Sequence, residues 1–429
     1  MRWPYGPMGT QGTKSFRNLL NKIFGDIEAD MKEQSNNLNS VNENLNKKID
    51  QKETESKNRD TNIQNQVNEL VVNGDSSPQA AQASVGADGT DYDGNLKARL
   101  DAEYNLMQDY KNGIHRLLYK TVSTTVTNTK KPGDYEYSHL AFQGADTVLC
   151  VMVGVSSETD PVITMMLDDP VIQAINSAGN NGVKVQMLKP HIGINFSDGF
   201  DRGKYLPSDI DAFFSNWKTV LLHYAALCHE NNIPILCISC EQRNQTLNIY
   251  ESKWQNIYNS IKALYPNLLL THAPKGYEWN GSNINFYKWC DIIGMNIYLN
   301  YTHKEFDGSN ITVQDIAKRF YWIPGGTNVH DKINYLSVKF NKPVFITEIG
   351  SMPQVDGLID VISEYAWDST RNYDIVALHM EAVFANLCNN QNVIGVSWWH
   401  TQTPFDYFKD GEVTSAEAVV KKYFDGGIL

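Results

Sequence analysis

The sequence lacks any apolar stretch long enough to cross a membrane. It contains no run of about 18 consecutive apolar residues, the length that a spanning helix needs. Its first residues, MRWPYGPMGT, also lack the continuous apolar core of a secretory signal. We therefore expect a protein that is made in a cytoplasm and is not inserted into a membrane.

Positive charge is also in short supply. The chain carries 37 Lys and Arg against 49 Asp and Glu, which gives a formal net charge of −12. A nucleic-acid-binding surface needs clustered Lys and Arg to neutralise phosphates. The charge balance therefore argues against nucleic acid as a partner.

Cysteine is sparse, and its spacing is not that of a disulfide framework. The six cysteines lie at positions 150, 228, 237, 240, 290 and 388. Cys237 and Cys240 form a C-x-x-C pair, but they lie in an apolar strand-like run, where positions three apart are expected to face opposite sides. We therefore predict no metal site and no cofactor, and synthesis in a reducing cytosol.

The N-terminal part of the chain has a polar, helix-compatible composition. Residues 30–72 are dominated by Asn, Lys, Glu, Gln and Asp, and no Pro or Gly interrupts residues 27–73. An alternating spacing of four and three places apolar residues at positions 31, 38, 45, 49, 63 and 70, with a polar middle. This pattern predicts a coiled coil that self-associates, and we favour a homotrimer. A disordered, charge-rich linker is the alternative.

Turn and linker residues follow the heptads, and a helical pattern spans residues 96–110. Residues 77–105 read SPQAAQASVGADGTDYDGNLKARLDAEYN. With the predicted coiled coil, this segment resembles the shoulder of tail and baseplate proteins of phages that infect Gram-positive bacteria. The resemblance implies an attachment segment (1–29), a coiled coil (30–72) and a linker with a helix (73–110), followed by a receptor-binding or enzymatic domain (111–429).

From about residue 114, short β-type runs alternate with helical stretches, which is typical of a parallel α/β architecture. The predicted strands are 117–126, 147–155, 183–191, 233–240, 268–273, 292–298, 343–348 and 393–399, and the predicted helices include 169–178, 210–230, 250–264, 312–320 and 375–388. Eight strands in this length predict a closed (β/α)₈ TIM barrel. A doubly wound open sheet is the competitor, but no Gly-rich phosphate loop follows any strand.

Two glutamates close apolar strands, where a barrel of this kind places its catalytic groups. Glu241 follows the strand IPILCISC, and Glu348 ends PVFITE. A salt bridge or a helix cap would explain either glutamate alone. Two carboxylates at one mouth also match glycosidic cleavage, which needs an acid for the leaving oxygen and a base or nucleophile at the anomeric carbon.

Five stretches carry a family resemblance: VKVQMLKPHI (183–192), ILCISCE (235–241), DIIGMNIY (291–298), KPVFITEIGS (342–351) and VIGVSWWH (393–400). Together they resemble the clan A glycoside hydrolases, and within that clan family 113, a group of β-mannanase-type barrels. The resemblance implies a retaining enzyme with Glu241 as the acid/base and Glu348 as the nucleophile. The two carboxyl groups of a retaining pair are expected to lie about 5–5.5 Å apart.

One position departs from the common clan A pattern. Many clan A enzymes place Asn immediately before the acid/base, where it binds the sugar 2-hydroxyl, but this chain has Cys240 there. Family 113 shares the departure, so the site is not thereby disabled. Because cysteine is a poor hydrogen-bonding residue, the contact to the sugar 2-position is in doubt.

Polar residues at other strand ends are candidate substrate-binding residues. Tyr298 is placed to hydrogen-bond the nucleophile, with core packing as the alternative. Lys189 and His191 end the third predicted strand and are candidates to bind hydroxyls or an anionic group; a structural ion pair is the alternative. Asn296 is a similar candidate.

Aromatic residues near the mouth are candidate sugar platforms. Trp398 and Trp399 end the eighth strand, and because alternate residues face opposite sides, only one of them should point into the mouth. Tyr277 and Trp279, in the loop after the fifth strand, are further candidates to line the subsites.

The two resemblances together predict a virion-borne glycosidase, located in a phage tail and acting at the host cell surface. Its expected partners are a host surface polysaccharide or wall teichoic acid glycan, other tail or baseplate proteins and copies of itself. A receptor-binding protein with an inactive barrel is the alternative. A free bacterial mannanase and a peptidoglycan-cleaving barrel are further readings, the first disfavoured by the heptads and the missing signal.

Overall fold

The computed structural model describes residues 117–425 except 280, 303–309, 323–327 and 360–369, together with scattered helical positions between 18 and 47. The chain divides into two compact units, Met1–Ser77 and Pro78–Leu429. The described residues of the first unit are helical and exposed. Most of the predicted coiled coil, the linker and the predicted helix at 96–110 lie outside the described residues, so these remain predictions.

The second unit contains the eight predicted strands, all parallel. They are β1 (Tyr119–Val126), β2 (Asp146–Val155), β3 (Val185–Ile194), β4 (Ile235–Cys240), β5 (Leu269–Ala273), β6 (Ile293–Ile297), β7 (Val344–Ile349) and β8 (Val393–Trp398). Hydrogen bonding joins them in the order β5-β4-β3-β2-β1-β8-β7-β6. Each strand therefore lies beside its neighbour in sequence, and β8 returns to β1, as in a (β/α)₈ barrel.

The β5–β6 seam nearly closes the barrel. The Thr271 hydroxyl donates to the Ile292 carbonyl at 3.0 Å, and the Asn296 amide donates to the Pro274 carbonyl at 2.9 Å. Gly294 permits the close approach, because a Cβ there would lie 1.8 Å from the His272 carbonyl oxygen. The open doubly wound alternative is therefore wrong.

Helices follow the strands and cover the outside of the barrel. The described α-helices are α1 (Asp134–Gln143), α2 (Asp168–Asn180), α3 (Ile210–Glu230), α4 (Glu251–Leu264), α5 (Val313–Lys318), α6 (Val329–Phe340), α7 (Tyr373–Ala385) and α8 (Ser415–Phe424). The five predicted helices are confirmed, with end differences of at most three residues. In the segment between β5 and β6, the structure has 3₁₀ turns at Gly276–Trp279 and Gly281–Trp289. No helix among the described residues has the length and apolarity to cross a bilayer.

Two apolar layers fill the domain. The larger layer packs the helices against the sheet, and the smaller one lies inside the barrel. Cys237 and Cys240 both belong to the inner layer, so the prediction that they face opposite sides is wrong. The β4–β5 pairing shifts register between these two residues, and such a bulge adds a residue that changes the alternation.

Candidate active site

Glu348 lies near the carboxyl end of β7 and is held by cationic and hydroxyl donors. The Lys189 ammonium contacts its Oε1, and the Tyr298 hydroxyl donates to its Oε2 at 2.8 Å. Lys189 is fully buried and also donates to the Thr347 carbonyl at 3.2 Å. These contacts fix the direction of the Glu348 carboxylate and favour its charged form.

Glu241 follows β4 directly and has an unusual backbone conformation. Its φ of 54° lies in the left-handed region, which costs an L-residue roughly 1–2 kcal/mol. Its amide donates to the Ala273 carbonyl at 2.9 Å, which ties the residue to the end of β5. Its carboxylate accepts from Asn296 Nδ2 at 2.9 Å through Oε1, and Lys275 Nζ lies 3.0 Å from Oε2.

The two carboxylates share neighbours across the mouth of the barrel. The Cys240 thiol lies 3.7 Å from Glu348 Oε1 and 4.0 Å from Asn296 Nδ2, the same nitrogen that donates to Glu241. The Thr347 hydroxyl donates to Asn296 Oδ1 at 2.8 Å, which orients the amide. Strands β4, β6 and β7 therefore bring Glu241 and Glu348 to one site.

The environments of the two glutamates favour different protonation states. Burial raises the pKa of Glu241, and the negative charge of Glu348 raises it further, against the opposing effects of Lys275, Arg202 and Asn296. Burial alone would raise the pKa of Glu348 as well, but the Lys189 charge, the electrostatic effect of His191 and the hydrogen bonds from Lys189 and Tyr298 together outweigh it, so the pKa lies below the ordinary value. A glutamate that favours its protonated form beside one that favours its charged form is the pairing that acid and nucleophile roles require.

His191 and Trp399 form one wall of this site. Their rings stack almost in parallel, with centroids 5.9 Å apart, and Lys189 Nζ lies 5.6 Å from the Trp399 ring. Burial lowers the pKa of His191 to about 4, so the ring is neutral at ordinary pH. Its Nδ1 lies 3.3 Å from Arg202 Nη2 and 3.6 Å from Asp198 Oδ1. Its Nε2, 3.7 Å from Glu348, has no hydrogen-bond partner in the described part of the chain.

Several predicted site residues require correction. Lys189 and His191 do not end β3; they lie inside it, because the strand continues to Ile194. Trp398 is fully buried outside the barrel against His379 and Phe384, so the structure does not support it as a sugar platform. Trp399 points inward, which confirms that only one of the pair does so.

The loop after β5 also differs from the prediction. Trp279 is 3% exposed, belongs to the outer apolar layer and donates its indole N–H to the Pro274 carbonyl at 3.1 Å. This contact is structural, and a sugar-platform role for Trp279 is not supported. The side chain of Tyr277 lies outside the described residues.

Sequence reasoning missed Lys275 and Arg202. Lys275 lies two residues after β5, so a complete search of polar residues at strand ends would have found it. Arg202 lies in the β3–α3 loop, buried and ion-paired with Asp198. No sequence pattern marks that loop residue as part of the site.

One group of side chains has the composition of a metal site. Ligand atoms of His191, Cys240 and Glu348 lie within 4.8 Å of one another. However, Lys189 already places a cation on Glu348, and burial raises the pKa of the Cys240 thiol well above its ordinary value, which disfavours the thiolate that metals bind. These residues therefore do not fit a metal ion.

The comparisons with known proteins agree with the barrel. The family model for Glycoside Hydrolase Family 113 matches residues 141–417, more than half of the chain. A GH113 β-1,4-mannanase structure is 18% identical, with 72% of this chain and 100% of that chain covered and a TM-score of 0.55. The GH113 β-mannanase AaManA from Alicyclobacillus acidocaldarius, in complex with ManMIm, is 17% identical, with 74% and 99% covered and a TM-score of 0.55. A search of curated proteins finds no significant match.

Proposed function

Since the chain belongs to Glycoside Hydrolase Family 113 and is a glycoside hydrolase, we propose that it cleaves by a retaining mechanism with Glu348 as nucleophile and Glu241 as acid/base. The observation that carries this proposal is the unequal treatment of the two carboxylates. Lys189 and Tyr298 favour the charged form of Glu348, while burial and the neighbouring negative charge favour protonated Glu241. A site that only bound glycan would gain nothing from two acidic groups held close together.

In the first step, a Glu348 oxygen attacks the anomeric carbon and forms a glycosyl ester. The glycosidic bond breaks, and the leaving oxygen takes the proton of Glu241. In the second step, ionised Glu241 takes a proton from water, whose oxygen attacks the same carbon and releases Glu348. Esterification removes the charge of Glu348, which lowers the pKa of Glu241 and suits it to act as a base.

The remaining groups would bind the sugar in the reacting position. His191 Nε2 lies 3.7 Å from Glu348 without a hydrogen-bond partner among the described residues, and Asn296 holds Glu241 toward the same space. Trp399 presents an inward-facing ring next to His191. Cys240 occupies the position from which an Asn would bind the sugar 2-hydroxyl, so we assign recognition near the nucleophile to His191.

Loss of each glutamate separately tests the two roles. Purified full-length chain is incubated with β-1,4-mannan and with cell-wall polysaccharide of Gram-positive bacteria, and new reducing ends are measured. Glu348→Gln should abolish cleavage. Glu241→Ala should release dinitrophenolate slowly from an activated dinitrophenyl glycoside. Added azide attacks the glycosyl-enzyme without help from a base, so it should speed turnover and give a glycosyl azide of retained configuration. An azide product of inverted configuration would contradict the retaining mechanism.

We propose further that the enzyme is a phage tail or baseplate component that trims a host surface polysaccharide or wall teichoic acid glycan during adsorption. The heptad pattern of residues 30–72 and the shoulder-like segment 77–105 support this proposal. Self-association would repeat a weak glycan site and raise avidity. Sedimentation of the full chain should give three times the 48.5 kDa mass, and a monomer would contradict the predicted trimer. Binding of walls by Glu348→Gln, with no turnover by the native chain, would favour a receptor-binding barrel.

A further inference from the structure

The loop after β5 brings a lysine to the proposed acid/base. Lys275 Nζ lies 3.0 Å from Glu241 Oε2, on the side of the carboxylate opposite to the oxygen that Asn296 contacts. The lysine side chain is 25% exposed and the Glu241 side chain 6% exposed, so the pair lies at the edge of the cleft with limited solvent screening. Burial would lower the pKa of Lys275, but the charge and hydrogen bond of Glu241, with the charges of Asp201 and Glu348, together outweigh burial and raise it, so the ammonium stays charged.

A buried glutamate fixes the backbone of this lysine. Glu278 is 1% exposed; its Oε1 accepts from the Lys275 amide at 3.1 Å, and its Oε2 accepts from the Thr246 hydroxyl at 3.0 Å. Trp279 donates to the carbonyl of Pro274, the residue before the lysine. The peptide between Pro274 and Lys275 is therefore held at both its carbonyl and its amide, and the Lys275 carbonyl accepts from the Glu278 amide at 2.9 Å. These contacts fix the backbone from which the lysine side chain extends to Glu241.

We propose that Lys275 is a positioning residue that sets the balance between the two half-reactions by stabilising the ionised form of Glu241. The proposal rests on the assignment of Glu241 as acid/base. A cation at this distance opposes the acid role, which needs the proton, and supports the base role, which needs the charge. It also holds the carboxylate in place after the first step, when Glu348 is esterified and no longer repels it.

Other charged or titratable groups act on Glu241 from the surrounding elements. Glu348 on β7 raises its pKa, and Arg202 in the β3–α3 loop lowers it together with Lys275. The charge of Glu241 also acts on three titratable neighbours: Cys240, Tyr298 and Glu278. The pKa of each lies above its ordinary value, so all three favour their neutral forms. Arg202 pairs with Asp198, whereas Glu241 is the ion-pair partner of Lys275. Lys275 is therefore the cation whose removal acts most directly on Glu241.

The test measures the ionisation of Glu241 directly. Full-length chain labelled with ¹³C at glutamate carboxyl carbons is titrated by NMR, and the Glu241 signal is identified by its loss in Glu241→Gln. Lys275→Met should move the Glu241 titration to higher pH, with at least about a tenfold fall in the ratio of ionised to protonated Glu241 at a given pH. Lys275→Arg should restore the native titration. Lys288→Met is the matched control, because Lys288 pairs with Glu251 at 2.9 Å away from the cleft.

Kinetics give a second readout that depends on the enzyme mechanism. With a poor leaving group, the basic limb of kcat/KM should move to higher pH in Lys275→Met, since protonated Glu241 persists longer. With a dinitrophenyl glycoside, the acidic limb of kcat should move the same way, since the base forms later. An unchanged NMR titration in Lys275→Met, or an equal shift in Lys275→Arg, would overturn the proposal. A shifted titration in a chain that cleaves no glycoside would instead reject the proposed function alone.

Discussion

Replacing Lys189 by methionine is expected to move the acidic limb of activity to higher pH. The ammonium is fully buried, and it contacts Glu348 Oε1 and the Thr347 carbonyl. An opposite charge in contact is worth about 1.4–4 kcal/mol to a buried carboxylate. Without it, burial dominates and Glu348 takes up a proton. The pH at which kcat/KM falls to half of its maximum on the acidic side should therefore rise by about one to three pH units.

The assay uses a dinitrophenyl glycoside, whose leaving group departs without protonation. The pH profile of kcat/KM then reports the ionisation of Glu348 without the contribution of Glu241 as an acid. Activity of Lys189→Met should recover as pH rises and Glu348 regains its charge. A loss of equal size at every pH would refute the electrostatic reasoning and leave a packing role for Lys189. Circular dichroism at each pH confirms that the variant stays folded.

The same site gives two further predictions. Tyr298→Phe removes a 2.8 Å hydrogen bond to Glu348 Oε2. Because hydrogen bonds to charged groups are worth about 1.5–3 kcal/mol, kcat/KM should fall roughly 10- to 150-fold. An unchanged kcat/KM would show that this hydrogen bond does not contribute to catalysis. Burial raises the pKa of Glu278 from 4.5 to about 8. Native Glu278 keeps its proton over a pH range in which the unfolded chain loses it. The contribution of Glu278 to the free energy of unfolding is therefore fully present below pH 4.5, and about 5 kcal/mol of it is lost as pH rises through 8. The Tm of Glu278→Gln should therefore change less between pH 4.5 and 8 than the Tm of the native chain. An equal change in both proteins would contradict the raised pKa of Glu278.

The periodic part of the fold could be predicted from the sequence. Strand β2, DTVLCVMVGV, is a near-continuous apolar run, which is typical of a parallel strand covered on both faces. The structure buries it along almost its whole length, as the sequence predicts. The positions of Glu241 and Glu348 follow from the rule that barrel sites form at the carboxyl ends of strands. Both elements depend on local composition and a regular alternation of faces.

The unpredicted parts depend on local departures from that regularity. The bulge in β4 places Cys237 and Cys240 on one side, and its register shift is set by pairing with β5 rather than by the residues of β4 alone. Which of Trp398 and Trp399 points into the barrel depends on where β8 ends relative to β7. Arg202 reaches the site through the path of a long loop, and loop paths have no periodic signature.

The left-handed backbone at Glu241 bears on why glutamate occupies this position. Glycine adopts this conformation without steric penalty, so its substitution for Glu241 would relieve backbone strain and remove a buried acid together. The backbone therefore does not favour glutamate at this position, and what opposes its loss is the hydrogen bond from Asn296 and the ion pair with Lys275. A glutamate kept in a conformation that its own side chain disfavours is consistent with a residue held there for chemistry and not for folding.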